Sequence, residues 1–555
     1  MTAENSHTLP PAPFCLWYIG EAYSTDDKIM GRQVAGKSLL QGMARTWPDS
    51  PINTICPSQV ALAALNSQMR DFGYRGQIRS SLPPGWEAAI DSGCLYYPCP
   101  VPQDIAVRRE RIGPTAFSLM GVTHSLSSQG ALDRIAALML PPFRPWDALI
   151  CTSTAVQTLV TRLLQESCEL WARTTGASKF NEPVLPVIPL GVDVPARAAG
   201  GIGRAAARAS MGLADDDIVI LSAGRLTIHA KSNPAPLYLA LERLAKTQPI
   251  ICIEAGVVSH HAVPAALAKA RAALAPSVRF IQVDGAAPAP YGAAWQAADI
   301  FVSLSDNIQE SFGLTPVEAM AYGLPTVVSD WDGYKDTVRD GIDGFRVPSF
   351  VPPPGSGVPI MDLYLGNEQA YDRYIGRCSL ATVITVDAIH NALARLVNDP
   401  ELRRRMGAAG QRRAQQEYDW PQILHRYAEL AAHLREIRLA ASVQQTSQPF
   451  LLPQQQDPFR LFGHFSTDQL QLHWPIFAKP DSLERLAVIQ DLGIANYAFD
   501  NNQFDPETAA RLLRLAMQRG CSVQSLLNDA GMMNATGARM VMWLWKFDLI
   551  SIIPD

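Results

Sequence analysis

The sequence lacks a long apolar run, a basic leader segment and a dominant charge. No stretch of about 18 uncharged apolar residues occurs, which predicts no membrane-spanning helix. No basic segment followed by an apolar one opens the chain, so we expect no signal peptide and a cytoplasmic location. The formal net charge of −5 gives no electrostatic reason to expect a nucleic-acid partner. Peripheral contact with a membrane is compatible with all three absences.

Cysteine is also used without the spacing of a metal site. The 9 cysteines are scattered, and Cys94 and Cys99 form the one close pair. Their spacing matches no common metal motif. We therefore expect mostly buried thiols in a reducing compartment.

What the sequence does contain is an alternation of short apolar runs and amphipathic segments. Its 555 residues suffice for about three domains. Residues 156–174 have helical periodicity, and buried strands are predicted around them. Such alternation is typical of doubly wound α/β domains, which bind ligands at the carboxyl ends of their strands. The predicted strands of the first half are 14–20, 94–98, 116–124 and 147–153.

The same alternation begins again after a segment rich in proline, glycine and alanine. Residues 184–217 have the composition of an interdomain hinge. We therefore predict an α/β fold of two Rossmann-like domains facing a cleft, over residues 1–190 and 191–440, with a helical pattern at 383–438. The predicted strands of the second half are 218–226, 249–257, 278–285, 298–306 and 324–330.

The last hundred residues have the composition of a separate module. Residues 441–458 are polar and rich in glutamine and proline, which predicts a linker. Residues 459–555 have the pattern of a small, mainly helical module compatible with a winged-helix fold. Because residues 500–555 hold five basic and six acidic side chains, binding of a protein partner or self-association is favoured over binding of nucleic acid.

The stretch 307–347 is the richest in candidate site residues. A predicted strand ends near Asp306, and Glu310, Ser311 and Gly313 follow in a loop. The loop precedes the positive end of a predicted helix, where free backbone N–H groups favour an anion such as a diphosphate. A carboxylate at Glu310 is therefore expected to face hydroxyl groups or a positively charged group.

The helix after this loop has a predicted start and end. Thr315 is expected to cap it, with Pro316 at the first helical position and Glu318 closing a capping box. Gly323 is expected to end it. On these grounds alone Glu318 is a helix cap.

Glu310 and Glu318, inside ESFGLTPVEAMAYGLPTV, also resemble the donor-site signature of retaining glycosyltransferases of family 4, the glycosyl transferases of group 1. That family has the GT-B fold of two Rossmann-like domains. The segments AGRLTIHAK (223–231), VIPLGVD (187–193) and DGYKDTVRDGIDGFRV (332–347) resemble further parts of the family pattern. The resemblance extends over most of residues 14–440 in the family's order.

The resemblance implies a role for each matching residue. Arg225 and Lys231 would bind the donor diphosphate, where positive charge stabilises the leaving group. Glu318 would hold the ribose hydroxyls, while Glu310 and His124 would face the donor sugar. The backbone of the donor loop would meet sugar and phosphate oxygens at Ser311, Gly313, Leu314 and Thr315.

The sequence departs from the family pattern at two places. The inserted residues IHA precede Lys231 and are expected to displace it if the turn there is longer than usual. Tyr334, Lys335 and Asp336 stand where the family usually has an acidic residue after the donor helix.

The function implied is transfer of a sugar, with retention, from a UDP- or GDP-sugar to a glycan, lipid or protein acceptor. The resemblance implies no metal and no cofactor other than the nucleotide sugar, most simply a UDP-sugar. The acidic run Asp215, Asp216 and Asp217 precedes a predicted strand, on the sheet edge opposite the expected site. It is therefore not predicted to bind Mg²⁺ or Mn²⁺.

Residues 31–38, GRQVAGKS, satisfy the phosphate-loop pattern of P-loop NTPases letter for letter. Such a loop directly follows a strand, whereas the predicted strand ends at Gly20. We instead expect Gly36 to sit at the start of a cleft-facing helix, where it lets the backbone approach the donor phosphates. Lys37 would then be a helix-surface residue.

Three alternatives to this function stay open. The chain could be a P-loop NTPase, a non-catalytic glycosyltransferase-like scaffold that acts through its C-terminal module, or a retaining phosphorylase or synthase of the same fold. Stabilisation by Mg-ATP and not by nucleotide sugars separates the first from the rest.

Overall fold

The computed structural model describes residues 12–25, 31–199, 201–258, 260, 262–441, 453, 456–497, 505–518 and 521–554. The chain divides into two units, residues 1–450 and 451–555. Most of the predicted linker 441–458 lies outside the described residues. Within the described part of the chain, no helix is both long enough and apolar enough to cross a membrane.

The first half of the larger unit contains a parallel sheet of six strands in the order β3-β2-β1-β4-β5-β6. This is the strand order of a dinucleotide-binding Rossmann domain. Strands were predicted at β1, β4, β5 and β6 and are confirmed there, whereas β2 and β3 were not predicted. The strands are β1 (Cys15–Trp17), β2 (Ile52–Ile55), β3 (Ile78–Ser81), β4 (Cys94–Tyr97), β5 (Ser118–Val122) and β6 (Ala148–Ile150).

Seven helices cover this sheet among the described residues. The predicted helix 156–174 is confirmed as α7, whose N-cap Ser153 accepts a hydrogen bond from the Val156 backbone N–H and whose C-cap is the left-handed Gly176. The helices are α1 (Gly20–Tyr23), α2 (Gly31–Thr46), α3 (Gln59–Asp71), α4 (Glu87–Ser92), α5 (Gln103–Ile112), α6 (Gln129–Ala136) and α7 (Thr154–Thr175).

The second half repeats the same topology in the order β12-β11-β10-β7-β8-β9. All five predicted strands are confirmed as β7 to β11, and β12 is an additional edge strand that the sequence did not predict. The predicted two-domain α/β architecture is therefore confirmed. The strands are β7 (Val219–Ala223), β8 (Ile251–Gly256), β9 (Arg279–Asp284), β10 (Ile300–Ser303), β11 (Thr326–Ser329) and β12 (Gly344–Val347).

Helices and a short antiparallel pair of strands complete this half. The antiparallel pair is β13 (Ser349–Phe350) and β14 (Val383–Ile384), and α15 (Val358–Leu365) and α16 (Tyr371–Leu380) lie between its strands. The helices before them are α8 (Val194–Ala199), α9 (Arg204–Ser210), α10 (Ala235–Ala245), α11 (Val263–Leu274), α12 (Pro288–Ala297), α13 (Leu314–Ala321) and α14 (Tyr334–Thr337). The helices after them are α17 (Val386–Asn398), α18 (Pro400–Arg413) and α19 (Trp420–Ala440), with a π-helical turn at Ala414–Tyr418.

The last of these helices, α19, belongs to the core of the first half. Its residues Trp420, Ile423 and Leu434 are buried in the apolar cluster that contains Phe14 and Leu40. The sequence assigned this segment to the second half, residues 191–440. Its apolar face packs on α2 instead, because that surface of the first half would otherwise face water.

Two glycines make room for the indole at the start of α19. A Cβ atom added at Gly42 would lie 2.4 Å from the Trp420 Cγ atom, and one at Gly191 would lie 2.4 Å from its Cδ2 atom. The Trp420 Nε1–H donates to the Ser38 hydroxyl at 2.6 Å. Arg45 forms ion pairs with Asp193 and Asp419 beside it. The two halves are thus joined at the hinge by a buried aromatic ring and a charged cluster.

The unit of residues 451–555 has its own apolar core, which contains Trp474, Leu512 and Trp543. It is mainly helical, as predicted, and it also has an antiparallel sheet in the order β16-β15-β17. A helix-turn-helix, α24 and α25, lies between β16 and β17 in the sequence. The elements are α20 (Pro458–Leu461), β15 (Pro475–Ala478), α21 (Ser482–Ile489), α22 (Gly493–Asn496), α23 (Pro506–Gln518), β16 (Cys521–Ser522), α24 (Val523–Asp529), α25 (Ala535–Lys546) and β17 (Ile550–Ile552).

The GRQVAGKS stretch is helical throughout, inside α2. Its backbone therefore cannot wrap a phosphate as a P-loop does, and the P-loop hypothesis is wrong on this point. Gly36 does not face the cleft as predicted: a Cβ atom there would lie 2.0 Å from the Ala22 carbonyl oxygen of α1. Lys37 donates to the Thr25 hydroxyl at 3.3 Å. Position 36 requires a glycine because the backbones of α1 and α2 are in contact there.

We expect Gly36→Ala to destabilise the protein by about 1–3 kcal/mol, because the new methyl group would meet backbone rather than a movable side chain. The measurement is the free energy of unfolding in urea. Gly31→Ala in the same helix is the matched control, since no atom of the described residues lies within 4 Å of its added Cβ. Equal stability of the two variants would contradict the α1–α2 contact.

Candidate functional site

A cavity of about 680 Å³ lies between the two Rossmann-like sheets of the larger unit. Its lining residues follow the carboxyl ends of strands from both halves: Cys99 follows β4, His124 follows β5, and Gly224 follows β7. This edge is where doubly wound sheets bind their ligands. Of the predicted site residues, Gly36 is not among those that line the cavity. The others that line it are His124, Arg225, Lys231, Glu310, Ser311, Gly313, Leu314, Thr315 and Glu318.

The floor of the cavity on the side of the second half is made of glycine backbone. A Cβ atom at Gly256 would lie 1.7 Å from the Gly224 carbonyl oxygen, and one at Gly285 would lie 2.8 Å from the Gly256 carbonyl carbon. Gly224 also has a φ of +140°, which side chains rarely adopt. Three neighbouring strands therefore end without side chains, and peptide groups are exposed to the cavity.

Lys231 lies in this cavity, so the inserted residues before it do not displace it. Its backbone N–H donates to the Thr227 carbonyl at 3.0 Å, and its own carbonyl accepts from Ser305 at 3.2 Å. Its ammonium group forms an ion pair with Glu310. Burial acts to lower the pKa of Lys231, but the Glu310 carboxylate raises the pKa above its usual value. The lysine is therefore held charged.

Among the described residues that line the cavity from the second half, Arg225 is the cation that has no carboxylate partner. Its guanidinium reaches only the Gln309 side-chain oxygen, at 3.5 Å, among the contacts of the described residues. It follows Gly224 at the end of β7 and lines the cavity. A ligand that brings negative charge into the cavity would meet this group first.

The start of α13 differs from the predicted capping box. The helix begins at Leu314, and the preceding Gly313 has a φ of +87° and no side chain to cap with. A Cβ atom at Gly313 would lie 2.0 Å from the Tyr334 ring, so the close approach of the ring requires glycine. Thr315 lies one residue inside the helix. The helix ends at Ala321, and Gly323, with a φ of +75°, follows as predicted.

Glu318 is not a helix cap either. Its carboxylate accepts a hydrogen bond from Arg197 at 2.8 Å, and this carboxylate raises the pKa of Arg197. Arg197 lies on α8, in the segment that the sequence indicated only as a hinge. Tyr291 of α12 lines the cavity beside this pair. No sequence signal marked either Arg197 or Tyr291, because both reach the site from distant parts of the chain.

His124 is held as a neutral imidazole. Its Nε2 atom lies 3.0 Å from the Pro98 carbonyl oxygen, which can only accept, so Nε2 carries the proton. Burial lowers the pKa of His124 to about 4, and the nearby Arg32 adds to that effect. The other ring nitrogen, Nδ1, is therefore a hydrogen-bond acceptor at neutral pH.

Three sets of contacts join the halves around the cavity. Ser153 donates to the Ser311 carbonyl at 2.9 Å. Asp336 accepts from the backbone N–H and the hydroxyl of Thr154, at the start of α7, so this acidic residue of the atypical segment caps a helix of the other half. The Tyr371 hydroxyl of α16 lies 2.6 Å from the Ser127 hydroxyl.

Asp332 is the most strained titratable group near the site. It has a φ of +42°, and its buried Oδ1 atom has no hydrogen-bond partner among the described residues. Burial raises the pKa of Asp332 to about 7, and the Glu310 carboxylate adds to the shift. Sequence reasoning gave no role to this residue.

The acidic run 215–217 lies away from the cavity. Asp217 accepts a hydrogen bond from the Ala214 backbone N–H at 2.8 Å, and Asp215 and Asp216 are exposed. Within the described residues, no group of three or more His, Cys, Asp or Glu side chains has the arrangement of a metal site.

Comparison with known proteins bears on the donor half. Residues 203–352 match the family model of Glycosyl transferases group 1, and this range contains Arg225, Lys231, Glu310 and Glu318. The chain is 33% identical over 228 residues to a D-inositol 3-phosphate glycosyltransferase of Streptomyces griseus, a match that covers 39% of each chain. It is 39% identical over 103 residues to a phosphatidyl-myo-inositol mannosyltransferase of Mycobacterium leprae, which covers 18% of this chain and 25% of the relative. The chain thus spans about two fifths or less of these curated relatives.

Two solved structures match about three quarters of this chain. The Anabaena protein HepE in complex with UDP matches with a TM-score of 0.48 and 16% identity, over 76% of this chain and 99% of that chain. The sucrose-phosphate synthase of Thermosynechococcus elongatus matches with a TM-score of 0.44 and 17% identity, over 77% and 100%. Both likenesses are too distant to bear on activity.

We expect the stability of the protein to depend on Asp332 in a pH-dependent way. Because the folded pKa of about 7 lies above the usual 3.8, this group favours the folded state most at low pH, and that contribution is lost as the pH rises through 7. Asp332→Asn, which tolerates the left-handed backbone, should therefore be more stable than the wild type at pH 8, and the difference should shrink towards pH 5.

Urea unfolding of both proteins at pH 5, 6.5 and 8 measures this difference. Asp216→Asn, at an exposed site, is the control for changing one carboxylate to an amide. A stability difference between Asp332→Asn and the wild type that stays constant with pH would show that Asp332 is not the titrating group.

Proposed function

We propose that this protein transfers a sugar, with retention at the anomeric carbon, from a nucleotide sugar to a hydroxyl-bearing acceptor. The observation that carries the proposal is the pair of cations, Arg225 and Lys231, at the carboxyl edge of the donor sheet, inside the region that matches glycosyl transferases of group 1. A nucleotide diphosphate is the ligand class that such a pair suits best.

The cations would act on the leaving group. When the bond between the anomeric carbon and the diphosphate oxygen breaks, negative charge grows on the diphosphate. Arg225 has no carboxylate partner among the described residues and can meet this charge directly, whereas Lys231 is already positioned by Glu310. Charged groups that are fixed before the reaction stabilise the developing charge without reorganisation.

The carboxylates would bind hydroxyl groups. Arg197 fixes one oxygen of Glu318, and the ribose hydroxyls of the nucleotide are the proposed ligands of the other. Glu310, paired with Lys231, is better suited to orient sugar hydroxyls than to attack carbon. We therefore infer that departure of the diphosphate and attack by the acceptor occur on the same face of the sugar.

The neutral His124 would complete the sugar site from the other half. Its unprotonated Nδ1 can accept a hydrogen bond from a sugar hydroxyl at neutral pH. In this proposal the donor is a UDP- or GDP-sugar, the reaction needs no metal, and no other cofactor takes part. The cytoplasm remains the expected location.

The related proteins suggest where to look for the acceptor. The relatives with the matching donor half are named as inositol-phosphate and phosphatidylinositol glycosyltransferases, so polyols of this kind are the first acceptors to test. The module of residues 451–555 has no part in the proposed transfer reaction. We propose that it binds a protein partner or a second copy of the chain rather than nucleic acid.

We expect one nucleotide sugar of a UDP-, GDP- and ADP-sugar panel to raise the melting temperature clearly above the others, because a ligand that binds only the folded state stabilises it. Arg225→Ala should lower kcat/KM for donor hydrolysis or transfer by about 10²-fold or more, as expected when one fixed donor to a developing charge is lost. Glu310→Gln should also be strongly impaired.

Two variants serve as controls. Arg243→Ala removes an exposed arginine of the same half that pairs with Asp387, and Lys37→Ala removes the lysine of the GRQVAGKS helix. Both should leave donor binding and turnover intact. Stabilisation by Mg-ATP alone, or loss of nucleotide binding in Lys37→Ala but not in Arg225→Ala, would sink the proposal.

A further inference from the structure

The described side chains that line the cavity include more cations than carboxylates. On the donor side Lys231 pairs with Glu310 and Arg197 with Glu318, which leaves Arg225 over. The first half repeats this arrangement, because Arg32 pairs with Glu21 and Arg134 is left over. Among the described residues, one cation on each wall therefore has no carboxylate partner and is available to a negatively charged ligand. The donor diphosphate needs only one of these walls.

Arg134 has no ion pair with any carboxylate in the described part of the chain. It lies on α6, and the neighbours that line the cavity with it on this helix are the small residues Gly130 and Ala131. A Cβ atom added at Gly130 would have no atom of the described residues within 4 Å, so these residues leave the space in front of the helix open. A ligand can therefore reach the guanidinium from within the cavity.

Arg32 lies on the same wall as Arg134. Its guanidinium donates to Glu21 at 2.7 Å and contacts the Cys99 sulfur at 3.5 Å, just beyond the end of β4. Burial raises the pKa of Tyr97, the last residue of β4, and Arg134 and Arg32 both act against that rise. Both guanidinium groups are therefore close to the same strand end.

Gln33, the next residue on α2, adds an unsatisfied acceptor to this wall. Its side chain is 3% exposed and lines the cavity, and its Oε1 atom has no hydrogen-bond partner in the described structure. A buried amide oxygen without a donor is unfavourable unless a ligand supplies one. A hydroxyl group of a ligand would satisfy it.

We propose that Arg32, Gln33 and Arg134 form an acceptor subsite for a small hydroxylated molecule that carries a phosphate or carboxylate group. The anion binds the Arg134 guanidinium, whose planar fork suits two oxygens at once, with Arg32 beside it. A hydroxyl donates to Gln33. The subsite rests on the proposed function, since it holds the anionic end of the acceptor so that a free hydroxyl faces the donor sugar across the cavity.

The test compares acceptors that differ only in charge: glycerol with sn-glycerol 3-phosphate, glucose with glucose 6-phosphate, and galactose with galacturonate. The full chain is used, with the nucleotide sugar that stabilises it most. We expect the charged member of at least one pair to be bound, by calorimetry, and glycosylated, by mass spectrometry, at least about tenfold better than its neutral partner.

Arg134→Gln should remove this preference for charge without changing the stabilisation by the nucleotide sugar. Arg173→Gln, an exposed arginine at the end of α7 outside the cavity, is the matched control and should keep the preference. Equal use of charged and neutral probes by the wild type, or an unchanged preference in Arg134→Gln, overturns the subsite.

Two further experiments distinguish a membrane acceptor from a free one, and a failure of the subsite from a failure of the proposed function. Vesicles of phosphatidylglycerol, with phosphatidylcholine vesicles as the neutral reference, present the same anion on a lipid headgroup. Glycosylation of the vesicle lipid identifies a membrane acceptor, and glycosylation of the soluble phosphate identifies a free one; both support the subsite. Failure of every nucleotide sugar to bind defeats the proposed function, whereas calorimetry of the charged probes with the donor-free protein still decides the subsite.

Discussion

A buried packing contact, Trp420 against Gly42 and Gly191, joins the two Rossmann-like halves at the hinge. The indole occupies space that any side chain at either glycine would fill, and its N–H is satisfied by Ser38. Because the ring starts α19, which lies in the core of the first half, the chain crosses the hinge twice. The Trp420 contact and the hydrogen bonds across the cavity, such as that from Ser153 to the Ser311 carbonyl, together hold the two walls against each other.

Most of the described charged side chains that line the cavity form ion pairs, and each pair fixes the position of both of its side chains. Glu310 positions Lys231, Arg197 positions Glu318, and Glu21 positions Arg32. A paired cation loses part of its attraction for a ligand but gains a fixed geometry, which is the property that a reaction site needs. Arg225 and Arg134, which have no carboxylate partner in the described part of the chain, have the opposite property. They are the groups whose charge only a ligand can compensate.

Much of the fold followed from local sequence patterns. The central strands β7, β10 and β11 are continuous apolar runs, because both faces of a parallel sheet are covered. The strands that were missed break this pattern: β3 is the polar edge sequence IRSS, and β2 contains Asn53 and Thr54, which are buried as polar groups. Hydrophobic periodicity alone does not detect such strands.

Site residues that lie close together in the sequence were predicted. Those that reach the cavity from distant segments of the chain were missed. Glu310 and Glu318 lie in one short stretch, so the sequence placed them in one site, and both line the cavity. Arg197 comes from the hinge, and Arg134 comes from a helix of the other half. Gly36 illustrates the reverse error, since its letters match a phosphate loop although its environment is the Ala22 backbone.

The glycine floor at Gly224, Gly256 and Gly285 restricts how this half can evolve. A side chain at Gly256 would meet the Gly224 carbonyl oxygen, and one at Gly285 would meet the Gly256 backbone, so either would push neighbouring strand ends apart. Gly224 is restricted instead by its φ of +140°. The floor therefore does not accept side chains, whereas the loop after β10 and the α6 wall can change one residue at a time. New specificities would therefore arise at the walls of the cavity, over a floor that stays the same.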